Sequence, residues 1–320
     1  MSSKRFAALD LGSLTARLAV AERAGPGRFR VLKHCREVTG LGEGLAQTGS
    51  LASEAMDRTL AAAGRFLREA ADLGVGELEA VATQAVRQAR NRDDFLMRLQ
   101  EELGLRVRVL APEEEARLAL TGVLTALAPE YLKEPALAVF DVGGGSSEFA
   151  LVRQGREPEF ASLPLGVLTL SQARPLGDPP GPQQVTALKQ ELAGRLQEFY
   201  QALVEPRVQV PPRLVGTAGA VTTLAAMALK MTEYDPDRVN NFILTRAQVE
   251  TLAERICRLP GEERARLPGM EPAKAGVMPA GVLLILAILA AFRQESLVVV
   301  DAGLLEGVLH EMSSKFWVSS

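Results

Sequence analysis

The chain contains few of the residues on which many catalytic and structural sites depend. Its 320 residues include only two cysteines, Cys35 and Cys257, and two histidines, His34 and His310. Neither cysteine stands in a CxxC motif or beside a histidine at ligand spacing, so neither a disulfide framework nor a zinc site is expected. Two histidines are too few for a mechanism that needs several imidazoles as bases or metal ligands. We therefore expect carboxylates, backbone amides or a metal ion to carry any catalysis.

A membrane-spanning segment and a basic excess are also missing. The longest strongly apolar stretch, Ala280 to Phe292, has 13 residues, whereas a transmembrane helix needs about 20. It predicts a buried helix. The first residues, MSSKRFAALDLG, show no secretion signal, so we expect a cytoplasmic protein with no membrane partner. With a net charge of −3, no nucleic-acid partner is expected, and a polyanionic ligand would need a local groove.

The order of predicted elements favours an α/β fold with two domains. Two strand–turn–strand blocks, RFAALDLGSLTARLAVAE and ALAVFDVGGGSSEFALVRQG, have the same layout, and helices and strands alternate after each. We interpret these blocks as the openings of duplicated halves, at residues 1–123 and 124–305. A predicted C-terminal helix at about 306–320 can pack back on the first half.

Each block carries a glycine-containing loop after an aspartate at a strand end. Gly12 and Ser13 follow Asp10, and a plain β-hairpin is an equally good interpretation of this loop alone. The loop after Asp141 offers consecutive backbone N–H donors, from Gly143, Gly144, Gly145, Ser146 and Ser147. Such a run forms an anion nest, which predicts phosphate binding. The aspartates would repel phosphate, but they can hold Mg²⁺ that bridges to it.

Other ionisable residues have a structural and a functional interpretation. Glu148, in the apolar strand after the second loop, faces either solvent or the predicted cleft. Glu113, Glu114 and Glu115 open a predicted helix, where acidic residues complement the helix dipole. Adjacent helical positions point about 100° apart, so one of the last two could face a cleft and take a proton from water. Arg87 suits either a phosphate clamp or a solvated helix face.

Short motifs extend in a characteristic order over nearly the whole chain, from about Phe6 to Leu309. They are DLGSLTARL, ATQAVRQARN, EEEARLALTGV, FDVGGGSSEF, LPLGVLTL, VGTAGAVTTLA and DAGLLEGVL. This ordered set resembles the exopolyphosphatase and guanosine pentaphosphate phosphohydrolase (Ppx/GppA) family. The resemblance implies two ribonuclease H-like domains of the actin-like ATPase superfamily around an interdomain cleft. It also implies the short form, without extra C-terminal helical domains.

The resemblance implies roles for individual residues as well. The family's two phosphate loops match Asp10, Gly12 and Ser13, and then Asp141, Gly143, Gly144, Gly145, Ser146 and Glu148. Glu115 matches a catalytic glutamate that positions or deprotonates the attacking water, and Arg87 matches an arginine near the phosphates. Gly216 and Gly219 match the loop that touches adenosine in related kinases. Mg²⁺, or Mn²⁺ in its place, would be held by Asp10, Asp141 and Glu148.

The chain departs from the family pattern mainly where positive charge is usual. Leu168, Lys274 and Leu305 each stand where the family often has an arginine, and Leu14 replaces an asparagine after the first loop. The predicted metal carboxylates and the glycine nest remain. We therefore expect catalysis to be retained.

The function predicted from these residues is Mg²⁺-dependent hydrolysis of the terminal phosphoanhydride of inorganic polyphosphate, releasing orthophosphate. The family resemblance also implies a homodimer. Three alternatives use the same cleft: hydrolysis of guanosine pentaphosphate (pppGpp), phosphoryl transfer from polyphosphate to a nucleotide, and a weakly catalytic sensor that binds phosphorylated ligands and regulates a partner.

Overall fold

The computed structural model describes residues 4–25 and 28–318. Residues 1–3 of the predicted first half and 319–320 of the predicted C-terminal helix lie outside this range. The chain passes between two compact units at Gly122–Val123 and again at Ala302–Gly303. Each unit contains one mixed sheet with helices, which confirms the α/β class.

The first unit is built on a five-stranded sheet in the order β3-β2-β1-β4-β5. Its strands are β1 (Arg5–Leu11), β2 (Thr15–Gly25), β3 (Arg28–Val38), β4 (Glu77–Ala82) and β5 (Val107–Val109). Its helices begin with α1 (Leu45–Thr48), α2 (Ser53–Asp72), α3 (Gln84–Gln88), α4 (Arg92–Leu103) and α5 (Pro112–Ala126). The first three strands are antiparallel, whereas β1, β4 and β5 are parallel.

The second unit contains a six-stranded sheet in the order β10-β11-β9-β6-β7-β8. Its strands are β6 (Ala136–Val142), β7 (Ser147–Arg153), β8 (Glu159–Leu163), β9 (Arg213–Thr217), β10 (Ile243–Thr245) and β11 (Ser296–Val299). Its helices are α6 (Val167–Ala173), α7 (Pro182–Phe199), α8 (Ala218–Ala228), α9 (Pro236–Val239), α10 (Arg246–Arg258), α11 (Gly261–Arg264) and α12 (Met278–Ala291). Short 3₁₀ turns lie at Tyr131–Lys133, Glu205–Arg207 and Pro272–Lys274, and a π turn at Tyr200–Val204. The last helix, α13 (Leu304–Val318), belongs to the first unit.

The two sheets repeat one arrangement. Read from its other edge, the second sheet runs β8-β7-β6-β9-β11, the same order as β3-β2-β1-β4-β5, and β10 adds an antiparallel edge strand. The duplicated hairpins predicted from the sequence are therefore equivalent strands of two related sheets. The strands β3 and β8, which complete each three-stranded meander, were not predicted. Neither strand contains a fully buried residue, so the apolar pattern that marks a half-buried strand is weak in both.

Helices cover both faces of the first sheet. Phe66 of α2 and Phe95 of α4 belong to the core on one face, while Val308 and Leu309 of α13 pack with Phe6 on the other. In the second unit, α12 is buried among α6, α7, α8 and α10, as the apolar stretch predicted. None of the helices described by the structure is long and apolar enough to cross a membrane.

Candidate active site

Three predicted site residues lie along one edge of the first sheet. Asp10 is at the end of β1, Arg87 is on α3 just after β4, and Glu115 is in the first turn of α5 after β5. Because β1, β4 and β5 are parallel neighbours, their carboxyl ends share this edge, where α/β proteins commonly bind ligands. The fold thus gathers residues that are 105 positions apart in the chain.

Arg87 holds Glu115. Its Nη1 donates to Glu115 Oε2 at 2.9 Å and to the carbonyl of Leu110 at 2.6 Å. The adjacent Glu114 instead pairs with Arg108 on β5. Glu114 and Glu115, which helical geometry alone could not tell apart, therefore have different partners. The guanidinium of Arg87 orients Glu115, the glutamate that matches the catalytic residue of the family.

Asp10 is a buried carboxylate with one oxygen engaged. Its side chain is almost inaccessible, and Oδ2 accepts hydrogen bonds from Arg17 Nε at 3.0 Å and Nη2 at 2.6 Å. Oδ1 is buried and has no hydrogen-bond partner within residues 4–25 and 28–318. A buried acceptor without a donor is unfavourable unless a ligand or ion satisfies it. This oxygen is suited to a cation.

The loop between β1 and β2 is a tight turn closed by a neighbouring segment. The Gly12 N–H donates to the carbonyl of Thr15 at 3.0 Å, and the carbonyl of Ser13 accepts from the Gly42 N–H at 2.8 Å. A Cβ at Gly12 would press on the carbonyl oxygen of Thr15. The hairpin interpretation of DLGS is therefore geometrically satisfied, and Ser13 is buried within it.

The first turn of α6 binds the loop between β6 and β7 through hydrogen bonds to the loop carbonyls. Its glycine carbonyls accept hydrogen bonds from Val167 N–H to Gly143 (3.0 Å), Leu168 N–H to Gly144 (2.9 Å) and Thr169 Oγ1 to Gly145 (3.0 Å). In a trans peptide the N–H points opposite to the C=O. The N–H groups of Gly144, Gly145 and Ser146 are therefore turned away from α6, as an anion nest requires. Gly143 directs its N–H to the Ser146 carbonyl at 3.0 Å.

Gly166 allows this close contact between the loop and α6. A Cβ at Gly166 would overlap the carbonyl group of Gly144 and the carbonyl carbon of Gly145. The sequence analysis did not select Gly166 as a site residue. The available signal was a glycine immediately before a helix, in the motif LPLG.

Glu148 lies directly opposite Asp141 in the β6–β7 ladder and is buried. Its Oε1 accepts hydrogen bonds from Ser146 Oγ at 2.6 Å and from Ser162 Oγ at 3.0 Å. The hydroxyl of Ser146 is therefore engaged with Glu148. Any contact of Ser146 with phosphate would come from its backbone N–H.

The glycines predicted as a nucleotide-like loop are closely packed. A Cβ at Gly216 would strike the ring of Phe140, and one at Gly219 would lie 2.7 Å from Lys274 Nζ. Lys274 is buried and pairs with Glu271 at 2.7 Å. Sequence reasoning noted Lys274 only as a departure from the family pattern. Its buried ammonium group beside the start of α8 is visible only in the fold.

Glu306 at the start of α13 is a second ionisable residue that the sequence analysis missed. Its Oε2 accepts from the Gly303 N–H at 2.7 Å, and its Oε1 lies 3.9 Å from His34 Nε2. Burial raises the pKa of Glu306 above its ordinary value, although His34, the Gly303 N–H and Arg17 act in the opposite direction.

This shift predicts the pH dependence of a variant. A carboxyl whose pKa is raised by folding stabilises the protein when protonated and loses that contribution as pH rises from the unfolded towards the folded pKa. We expect Glu306→Gln, which mimics the protonated form, to raise Tm at neutral pH, with the gain shrinking in acid. Thermal melts between pH 4.5 and 8 would test this. A gain that grows in acid would contradict it.

Glu311 on the same helix provides a control of opposite sign. Burial alone would raise the pKa of Glu311, but Lys315 and Arg108 lower it below its ordinary value. Glu311→Gln should therefore lower Tm at neutral pH, with the loss shrinking in acid.

The predicted metal ligands divide between the units, with Asp10 in the first and Asp141 and Glu148 in the second. In residues 4–25 and 28–318, no group of three or more His, Cys, Asp or Glu side chains is arranged to hold a metal ion. Mg²⁺ seldom needs such a group, because it commonly binds through one or two carboxylates plus substrate phosphates and water.

Comparisons with known proteins identify a family to which this chain is similar. A sequence model of the Ppx/GppA phosphatase family matches residues 20–316. Exopolyphosphatase 1 of Mycobacterium tuberculosis is 30% identical over 308 residues, covering 95% of this chain and 87% of that protein. Exopolyphosphatase 2 of the same organism is 28% identical over 320 residues, covering 96% and 98%.

The structural comparison supports the same assignment. The crystal structure of the Aquifex aeolicus Ppx/GppA family member is 31% identical and superposes with a TM-score of 0.78, covering 98% of each chain. Both units accordingly have the ribonuclease H-like fold of the actin-like ATPase superfamily. The motif order, the repeated sheets and the family match agree over most of the chain. This chain therefore belongs to the Ppx/GppA phosphatase family.

Proposed function

We propose that this protein is an exopolyphosphatase, which hydrolyses the terminal phosphoanhydride bond of inorganic polyphosphate and releases orthophosphate. The main support for the proposal is the geometry of the β6–β7 loop. The first turn of α6 binds the glycine carbonyls, so the N–H groups of Gly144, Gly145 and Ser146 point away from α6. Three neighbouring donors that all point away from α6 suit the oxygens of a terminal phosphate. The names of the mycobacterial relatives support the same substrate.

Each unit offers carboxylate oxygens of the kind that Mg²⁺ prefers. In the first unit, the buried Asp10 Oδ1 has no hydrogen-bond partner among the described residues, and in the second unit, Asp141 and Glu148 are paired across two strands. We propose that Asp10, Asp141 and Glu148 are metal ligands, directly or through water, and that substrate oxygens complete the coordination. The bound ion would neutralise charge on the phosphate oxygens.

The chain's own residues would then position the reactants. Glu115, oriented by Arg87, would accept a proton from the water whose oxygen attacks the terminal phosphorus. As the new P–O bond forms, the bond from that phosphorus to the bridging oxygen breaks, and the shortened polyphosphate leaves with the electron pair. The loop N–H groups would hold the oxygens of the transferred phosphate throughout.

The packing around Gly219 supports inorganic polyphosphate over pppGpp as the substrate. In related kinases, the loop matched by Gly216 and Gly219 touches adenosine. Here Lys274 Nζ occupies the space next to Gly219, and its ion pair with Glu271 holds it there. A nucleoside would have to displace a buried ion pair, which is costly.

Phosphate release should be measured on long-chain polyphosphate, pppGpp and ATP, each with Mg²⁺ and with EDTA. We expect Mg²⁺-dependent release from polyphosphate, with kcat/KM for the two nucleotides at least ~10-fold lower, a difference of about 1.4 kcal/mol. Faster release from pppGpp would overturn the choice of substrate. Tight binding without release would favour the sensor. A homodimeric state stays a prediction, which sedimentation equilibrium would test.

The ion pair between Arg17 and Asp10 predicts a change in metal affinity. The guanidinium satisfies one oxygen of the carboxylate that we propose as a metal ligand, so the two cations compete for it. We expect Arg17→Gln to tighten Mn²⁺ binding severalfold, as measured by electron paramagnetic resonance of the free ion. Arg68→Gln, at an exposed position, changes the net charge equally and should leave affinity unchanged. Unaltered or weaker Mn²⁺ binding by Arg17→Gln would contradict the competition.

A further inference from the structure

An arginine-lined groove lies at the end of α10 in the second unit, apart from the phosphate loop. It encloses about 610 Å³ and is lined by Thr251, Glu254, Arg255, Arg258, Leu259, Glu263, Arg266 and Leu267. Arg255 and Arg258 are three positions apart in the last turn of α10 and therefore share a face of the helix. Arg266 joins them from the segment that follows α11.

The three guanidinium groups have no partner in the part of the chain that the structure describes. The side chains of Arg255, Arg258 and Arg266 form no hydrogen bond or ion pair with any residue that the structure describes, and all three are exposed. Many other arginines of this chain are bound to carboxylates, as Arg246 is to Glu250 at the opposite end of the same helix. The groove therefore presents donors that remain available to an external anion.

The segment that carries Arg266 is anchored. The neighbouring Arg264 is buried and donates from Nη2 to Asp178 Oδ1 at 2.6 Å, and the Gly261 N–H donates to the same carboxylate at 2.8 Å. These contacts tie α11 to a residue more than eighty positions earlier in the chain. A fixed backbone lowers the entropy lost when a ligand binds.

The balance of charge favours a long ligand over a small anion. Glu254 and Glu263 also line the groove, so three arginines and two glutamates leave a net charge of +1. A single small anion would gain little from this charge. A linear polyanion can contact all three guanidinium groups in succession, and several weak contacts on one tethered chain add up to useful affinity.

We propose that this groove is an accessory binding site for a linear inorganic polyphosphate chain, an inference that rests on the proposed function. Guanidinium groups match the oxygens of successive phosphates and need no base or sugar for recognition. The groove would retain the chain while its terminal phosphate is hydrolysed elsewhere, and it would therefore act only on long substrates.

The test compares two triple variants of equal charge. Arg255→Gln/Arg258→Gln/Arg266→Gln removes the groove guanidiniums, and Arg68→Gln/Arg106→Gln/Arg156→Gln removes three exposed arginines elsewhere. Binding of labelled long-chain polyphosphate is measured in EDTA, and phosphate release from long-chain polyphosphate and from tripolyphosphate is measured with Mg²⁺. Thermal melts confirm that both variants are folded.

We expect the groove variant to lose at least ~10-fold in affinity for the long chain and the control variant less than ~2-fold. The dependence of log K on log salt should become shallower by about 2, at ~0.7 per lost phosphate contact. Hydrolysis of tripolyphosphate should be unchanged in both variants. An equal loss in both variants, no loss in either, or a parallel loss on tripolyphosphate would overturn the accessory site.

The outcomes separate this inference from the proposed function. If the wild-type protein releases phosphate but the groove variant binds the long chain normally, only the accessory site fails. If the wild-type protein binds the chain through the groove without releasing phosphate, only the proposed function fails. Absence of binding by the wild-type protein in EDTA would overturn the accessory site, and absence of phosphate release with Mg²⁺ would overturn the proposed function. Equally tight, groove-dependent binding of single-stranded RNA would show a general polyanion surface and overturn the choice of ligand.

Discussion

Replacing Glu115 with glutamine is expected to lower phosphate release from polyphosphate at least ~100-fold, with only a modest change in KM, as loss of a general base does. Glutamine has the same shape, and its amide oxygen can still accept the hydrogen bond that Arg87 Nη1 donates at 2.9 Å. It cannot take a proton from water. The defect should therefore appear in kcat, as measured by steady-state phosphate release.

Glu113 provides the matched control, because it lies in the same first turn of α5 but is exposed. Glu113→Gln removes the same charge from the same end of the helix and should retain near wild-type turnover. A Glu115→Gln variant that also turns over at the wild-type rate would remove Glu115 from the mechanism. Equal losses in both variants would indicate a general effect of charge near the site.

Replacing Gly166 with alanine is expected to damage the second phosphate loop. The new Cβ would overlap the backbone of Gly144 and Gly145, so the loop and the first turn of α6 would have to separate. Separation would break the hydrogen bonds that hold the loop carbonyls and would turn the nest N–H groups away from phosphate. We expect phosphate release to fall at least ~10-fold and stability to fall by about 1–3 kcal/mol, the range for overpacking.

Gly194 on α7 is the control for this substitution. A Cβ there would meet no atom within 4 Å, so Gly194→Ala should leave activity unchanged and stabilise the protein by about 0.5–1 kcal/mol through helix propensity. Urea unfolding and phosphate release would be measured on both variants. Full activity and unaltered stability in Gly166→Ala would show that the loop does not depend on its contact with α6.

The glycine-rich loop shows how far local sequence reasoning reaches. DVGGGS predicted a run of backbone donors, because glycines between an aspartate and hydroxyls allow an anion nest. It could not specify which N–H groups would be available. That depends on Val167, Leu168 and Thr169, whose hydrogen bonds orient the loop peptides across more than twenty positions of the chain.

The acidic start of α5 shows a different limit. Helical geometry predicted that the side chains of Glu114 and Glu115 point in different directions. It could not predict which residues each side chain would contact. The answer came from two arginines on other elements, Arg108 on β5 and Arg87 on α3, and pairing of this kind has no local signature. The importance of Glu306, Lys274 and Arg17 was also missed. Glu306 and Lys274 lie near residues that are distant in the chain, His34 and Gly219, whereas Arg17 faces Asp10 across the β1–β2 hairpin in a register that the sequence analysis did not assign.

The sequence by itself determined the class of fold, the duplicated hairpins, the buried α12 and the glycine loop after Asp141. These features follow from hydrophobic periodicity and backbone freedom, which act over a few residues. The tertiary structure alone decided that Glu115 is held by Arg87, that one oxygen of Asp10 is engaged by Arg17, and that Lys274 lies beside Gly219. Arg87 meets Glu115 because parallel strands and the helices that follow them share one sheet edge, Arg17 reaches Asp10 across the antiparallel β1–β2 hairpin, and Lys274 approaches Gly219 from a distant segment. Hydrogen bonds and burial act across distance in space, whatever the separation along the chain.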